Sequence, residues 1–148
     1  MRAVVQRVRD ASVSVDGEVV GRVGAGVVVL LGVAAEDTTS DPDRLAGKVA
    51  RLRIFENDDG RLDRSLLDVS GEALVVSQFT LIADTRKGNR PSFAGAAAPE
   101  LAKRLYEEFC SALESLGVRV ARGVFGARME VSLVNDGPVT IVLDTHER

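Results

Sequence analysis

Ala73-Leu74-Val75-Val76-Ser77-Gln78-Phe79-Thr80-Leu81 is the stretch on which the fold turns. An apolar run of strand length, Ala73 to Val76, passes straight into residues that are mostly polar. A buried strand that presents Ser77, Gln78 and Thr80 places polar groups where packing alone would favour Val or Ile. With a side-chain period of two, Val76, Gln78 and Thr80 share one face, and Val75, Ser77 and Phe79 share the other. An amide and a hydroxyl then stand side by side at a strand end, where a rigid scaffold can carry a site. Closing ordinary hydrogen bonds at a strand terminus is the other reading of the same residues.

Upstream, residues 2–9 alternate as a strand does. Val13-Ser14-Val15 and Glu18-Val19-Val20 flank Asp16-Gly17, a pair that tolerates positive φ and so predicts a hairpin. Gly24-Ala25-Gly26 precedes Val27-Val28-Val29-Leu30-Leu31-Gly32-Val33, a continuous apolar run that reads as a strand covered on both faces. That Gly-x-Gly lacks a third glycine and opens no helix, so it is no dinucleotide fingerprint. Asp41 as N-cap and Pro42 at the first helical position predict a helix with Leu45, Val49 and Leu52 inward. Arg53-Ile54-Phe55 reads as a short strand, and Asn57-Asp58-Asp59-Gly60 as a turn with no calcium-loop glutamate after it.

Downstream, residues 82–97 form a long connection holding Arg86, Lys87 and Arg90 against Asp84. Connections of this length are often functional. Arg86 and Arg90 are accordingly candidates to face phosphate, or else members of a solvated loop. A second helix starts near Ala98-Pro99-Glu100 and stops at Gly117, with Leu101, Leu105, Phe109 and Leu116 as its core stripe and Cys110 within it. Strands are expected at Val118 to Ala121, Met129 to Val134 and Val139 to Leu143, with Asn135-Asp136-Gly137-Pro138 as a turn. The order is ββ(β)–α–ββ–α–βββ: an α+β (mixed α/β) domain, residues 1–148, with a meandering, barrel-like sheet packed on two helices.

At 148 residues and 45% hydrophobic, the chain can bury one sizeable core. A net charge of −3 argues against coating nucleic acid by charge alone, though not against gripping one end through a local patch. The longest apolar run is too short to span a bilayer, and no signal-peptide pattern opens the chain. A cytoplasmic domain without membrane contact is the expectation, compatible with the lone Cys110. His146 is the sole histidine and lies near the end of the chain, so a Ser-His-Asp or Cys-His arrangement would have to use a frayed tail. One His and one Cys leave no zinc cluster, so no metal and no cofactor is expected. An enzyme built from these residues works by position and electrostatics: backbone N–H groups near Phe79 and Thr80 would polarise a carbonyl.

Three segments together are recognisable. Ser77-Gln78-Phe79-Thr80-Leu81, then Arg90-Pro91-Ser92-Phe93, then Asn135-Asp136-Gly137-Pro138-Val139-Thr140 closely resemble the D-aminoacyl-tRNA deacylase (D-tyrosyl-tRNA deacylase) family. The likeness extends from Met1-Arg2-Ala3-Val4-Val5-Gln6-Arg7-Val8 to the last strand. The resemblance implies hydrolysis of the ester joining a D-amino acid, or glycine, to the terminal ribose of tRNA, with L-aminoacyl-tRNA excluded. It implies a homodimer with active sites at the subunit interface. It puts the substrate carbonyl near Ser77, Gln78, Phe79 and Thr80, makes Gly137-Pro138 a cis dipeptide inserted into the partner's site, and sets Phe125 against the terminal adenine. Phe125 also reads as a core aromatic. Thr80 is either a nucleophile or a positioning group, and without a partner base positioning is favoured. Two rival functions remain at this point: a general small-ester or thioester hydrolase with Cys110 as nucleophile, and a non-catalytic module that binds RNA ends.

Overall fold

The computed structural model describes residues 1–146. One long strand organises it. β1 (Arg2–Val15) turns at Asp16-Gly17, both at positive φ, into β2 (Glu18–Val23). Along one edge β1 pairs β3 (Gly26–Gly32) over residues 2–8 and β2 over residues 11–15. Along its other edge it pairs β8 (Glu130–Asp144) for nearly its whole length. That half of the sheet is antiparallel.

The other half is parallel. β6 (Glu72–Ser77) lies beside β3, and β7 (Arg119–Arg122) beside β6. Parallel neighbours need long crossovers, and these carry α1 (Ser40–Arg51) and α2 (Pro99–Ser115). A small hairpin of β4 (Phe55–Glu56) and β5 (Leu62–Arg64) closes around the Asn57–Gly60 turn. β7 comes round towards β2, where a Cβ on Gly21 would lie 2.7 Å from the Arg122 carbonyl oxygen. The sheet is thus a nearly closed barrel with two helices packed on it, an α+β fold as expected.

The apolar runs of β3 and β6 have a simple cause: each strand feeds two cores. Val27, Val29, Leu31, Ala73 and Val75 pack beneath the helices with Leu105, Phe109 and Leu113 of α2. Val28, Leu74 and Val76 point the other way, onto Val8, Val13 and Val23. Strands covered on both faces read as continuous hydrophobic sequence. β1 serves both cores because alternation puts Ala3 and Val5 on one face and Val8 on the other, and a register slip between Val8 and Ala11 then turns Ala11 and Val13 to the side of Val8. A slip of one residue exchanges the faces of a strand.

Asp41 lies inside α1, whose N-cap is Thr39, and two larger expectations change. Asn135-Asp136-Gly137-Pro138 is not a turn between two strands, because β8 runs through it. Gln6 pairs Thr140 and Val8 pairs Asn135, so residues 136–139 of β8 stand opposite Arg7 alone and bulge outward. Turn residues reverse a chain only when the flanking halves pair with each other, and here both halves pair with β1. The Ser77–Leu81 segment also stops being a strand. β6 ends at Ser77, and Phe79–Ile82 is a single 3-10 turn. In α2 the buried stripe is Ala102, Leu105, Tyr106, Phe109, Cys110 and Leu113, with Leu101 and Leu116 half-buried at its margins. Gly117, at φ +100°, follows its end as a C-cap glycine does.

Candidate active site

β6 delivers the polar segment to the rim of the molecule. The Gln78 N–H makes the last sheet-like bond, to Leu31 O at 2.8 Å. The chain then tightens into the 3-10 turn, with Leu81 N–H bonded to Gln78 O and Ala83 N–H to Thr80 O. Gln78 and Thr80 therefore meet within a turn and not on one face of a strand. Gln78 Nε2 donates to Thr80 Oγ1 at 2.5 Å. The amides of Phe79 and Thr80 open the turn, where a helix leaves its N–H groups unpaired, and no hydrogen bond engages either among the described residues.

A cavity of about 620 Å³ lies beside this turn. Ser77, Gln78 and Phe79 line it together with Phe93, Phe125 and Met129. Phe79 and Phe93 meet edge to face with centroids 5.1 Å apart. Phe125 lies 6.2 Å from Tyr106, whose hydroxyl donates to Val75 O at 2.7 Å. Phe125 packs on the core, as one reading of the sequence had it, and also lines the cavity. The lining is largely apolar with a polar lip, the usual character of a small-ligand site.

The remaining expected residues are elsewhere in this chain. Thr80 is exposed beside the cavity and is joined to it through Gln78. Gly137 and Pro138 are joined by a cis peptide, are exposed, and do not line the cavity of their own chain. Arg86 is bound at the surface by Asp84, which accepts from Nε at 2.9 Å and from Nη2 at 2.7 Å. Those hydrogen bonds hold the Asp84 carboxyl down to about 2. Arg90 is exposed on the same loop, with no ion pair among the described residues.

Arg7 is the residue that sequence reasoning missed. It is only 5% exposed, yet it carries a charge. Its Nε donates to Asp136 O at 3.0 Å and its Nη1 to Ile54 O at 2.9 Å. A Cβ on Gly137 would lie 3.1 Å from Arg7 Nη2. The bulge is framed further by Asn135, whose Oδ1 accepts the Val139 N–H at 3.2 Å and whose Nδ2 donates to Thr140 Oγ1 at 3.1 Å. A cation at an inward position of an alternating strand was the available signal.

Nor does His146 sit on a frayed tail. Its Nε2 lies 2.8 Å from Asp37 Oδ1, and Asp37, Asp41 and His146 gather within 4.8 Å of one another. The buried Asp37 carboxylate already accepts from the Met1 amine at 2.6 Å and from the Ala34 N–H at 2.7 Å. The cluster ties the two ends of the described chain together. Cys110 is wholly buried, and burial pushes its thiol up to about 11. A thiol in that state is no nucleophile.

The sequence profile of the family D-Tyr-tRNA(Tyr) deacylase matches residues 4–144. A D-aminoacyl-tRNA deacylase of Roseiflexus castenholzii is 61% identical over 98% of this chain and 92% of its own length. That of Thermus aquaticus is 58% identical over 100% of this chain and 97% of its own. Among solved structures, a "c-Myc DNA Unwinding Element Binding Protein" superposes with a TM-score of 0.92 at 43% identity, covering 98% of this chain and 99% of that one. A "probable eukaryotic D-amino acid tRNA deacylase" superposes at 0.85 with 21% identity over 96% of this chain and 97% of its own, a likeness of fold. The cavity, its turn with free amides and the Asn135–Thr140 bulge therefore sit on a chain that belongs to the D-Tyr-tRNA(Tyr) deacylase family.

Proposed function

We propose that this chain hydrolyses the ester between a D-amino acid, or glycine, and the terminal ribose of tRNA, and excludes L-aminoacyl-tRNA. The observation that carries the reading is the pair of unengaged amides at Phe79 and Thr80 beside a cavity of about 620 Å³. Two preorganised N–H donors stabilise the oxyanion that forms when an ester carbonyl is attacked, each worth roughly a hundred- to a thousandfold in rate. Such donors suffice for an activated ester without a strong side-chain base.

Thr80 positions. Gln78 Nε2 already donates to its hydroxyl oxygen, leaving the hydroxyl hydrogen to point at substrate. Among the described residues no histidine or carboxylate is bonded to that oxygen to act as a base. Water or the ribose 2′-hydroxyl supplies the nucleophile. Phe125 offers a face for the terminal adenine, and Arg86 and Arg90 offer charge to phosphates.

The site is completed by a second copy of the chain. β8 is a 15-residue strand paired on one edge only, with Val131, Val134 and Val142 exposed. A long open edge with apolar side chains invites another strand-bearing surface. Gly137 and Pro138 project from that strand and serve the partner's cavity as a wall of main-chain atoms. Such a wall reads handedness at Cα, admitting a D substituent and clashing with an L one, whatever the side chain. Among the described residues no helix is long and apolar enough to cross a membrane.

The test is deacylation of matched D- and L-tyrosyl-tRNA by catalytic amounts of the protein. Multiple turnovers on the D ester with the L ester intact support the reading. Equal rates on both refute it, and binding without turnover returns the chain to the class of RNA-end binders.

A further inference from the structure

The 3-10 turn that carries Thr80 is only four residues long. A piece that short holds itself weakly, so what fastens it from outside decides where Thr80 and the two amides sit. Its entry is fastened by the Gln78 N–H to Leu31 O bond at 2.8 Å. Its exit is fastened by Arg2. Arg2 Nη1 donates to Leu81 O at 2.8 Å, one of the carbonyls that the end of a helix leaves without an internal partner.

The sheet prepares that contact. Arg2 pairs Gly32 of β3 on one side and Asp144 of β8 on the other. Directly opposed residues project to the same face of a sheet, so Asp144, Arg2 and the missing side chain of Gly32 form one row. The turn fills the gap: a Cβ on Gly32 would lie 3.0 Å from both Leu81 Cβ and Gln78 O, and 3.3 Å from Ile82 Cδ1. Asp144 Oδ2 accepts from Arg2 Nε at 2.9 Å, orienting the guanidinium so that Nη1 meets Leu81 O. The Arg2 side chain is 41% exposed, so as an ion pair it adds little to stability. Its geometry relative to the turn is what is specific.

We infer that Arg2, oriented by Asp144, is a positioning residue for ester hydrolysis, holding the Phe79–Ile82 turn at the depth where its amides and Thr80 meet the substrate carbonyl. The inference rests on the proposed deacylase function. Arg2 acts on the reacting geometry and not on the surfaces that hold tRNA, so its loss belongs in kcat.

The experiment measures kcat and KM on D-tyrosyl-tRNA, with thermal unfolding alongside, for Arg2→Met, Arg2→Lys, Gly32→Ala and, as a control on the same strand, Arg9→Met. Arg9 is exposed and, among the described residues, pairs only with its neighbour Asp10. Arg2→Met is expected to lower kcat about ten- to a hundredfold, since a displacement near 1 Å costs about a hundredfold. KM and Tm should hold. Arg2→Lys should recover part of the rate, Gly32→Ala should lower kcat by pushing the same turn from the other side, and Arg9→Met should behave as the unaltered protein. Wild-type kinetics in Arg2→Met, in a protein where Thr80→Ala abolishes hydrolysis, overturn the positioning role alone. A change confined to KM, or a rate loss matched by a fall in Tm, also overturns it. Should Arg2→Met not fold, Gly32→Ala decides: unchanged kcat refutes the role of the row. Failure of the unaltered protein to hydrolyse the D ester refutes the functional reading itself.

Discussion

Arg7→Met is the perturbation whose consequences the structure specifies most fully. The substitution keeps an apolar stem in a buried slot and removes every donor. Ile54 O and Asp136 O lose partners at 2.9 and 3.0 Å. Ile54 is only 4% exposed, so its carbonyl is left unsatisfied, at a cost of about 1–3 kcal/mol. The Asp136 carbonyl is near solvent and water replaces most of what it loses. The Glu56 and Asp136 carboxylates are 54% and 60% exposed, so losing the cation near them costs little. The sum is about 1–3 kcal/mol, or about 2–12 °C in Tm for a chain of this size. The second consequence is at the bulge. Arg7 bonds the backbone beside Gly137 and packs against it, so the wall proposed for Gly137 and Pro138 is expected to move when Arg7 goes. A shift near 1 Å costs about a hundredfold in rate. The assay is urea unfolding together with D-tyrosyl-tRNA hydrolysis at a temperature well below the lowered Tm. A variant that loses the predicted stability but keeps its full rate refutes the link from Arg7 to the wall, and one that loses neither refutes both steps.

Cys110→Ala should retain full deacylase activity and lose about 1–2 kcal/mol of stability from the small void it leaves, read by hydrolysis rate and urea midpoint. A thiol-directed reagent at pH 8 should leave the native protein unmodified on the timescale of the assay, because burial pushes the thiol up to about 11. At the 82–97 loop, Asp84 should titrate near pH 2 in a carboxyl-detected NMR titration. Its folded value lies below the ordinary one, so the Asp84–Arg86 contact is fully present above about pH 4 and is lost as pH falls through 2. A midpoint near 3.8 would show that the contact is absent in solution.

What could be read from the residues follows a physical division. The Asp16-Gly17 hairpin was legible because both positions need positive φ, a local demand that few residue pairs meet. β3 and β6 were legible because coverage on both faces leaves continuous apolar sequence. The bulge at 135–139 was not, because its turn chemistry is local while the strand that pairs with both its flanks lies at the other end of the chain. Arg7 was hidden for the same reason: the carbonyls that make its burial tolerable come from residues 47 and 129 positions away. His146 looked like a tail because Asp37 lies 109 positions upstream. At the candidate site, Ser77 and Gln78 stood out because polar residues at the end of a buried strand are conspicuous, and one cavity gathers them with Phe79 and Phe125. The 3-10 turn was not foreseen, since nothing in Phe79-Thr80-Leu81 distinguishes a strand that continues from one that curls against Gly32.

In the proposed dimer one working site takes its turn from one chain and its wall from the other. This is tested by mixing two variants, Thr80→Ala and Gly137→Ala, each expected to lose its activity on D-tyrosyl-tRNA when assayed alone. Subunit exchange makes half of the dimers mixed, and each mixed dimer carries one site with both elements intact and one with neither. Activity should return on mixing to about one quarter of the unaltered protein's, given statistical exchange. Mixed dimers confirmed by native mass spectrometry that remain inactive would contradict the shared site.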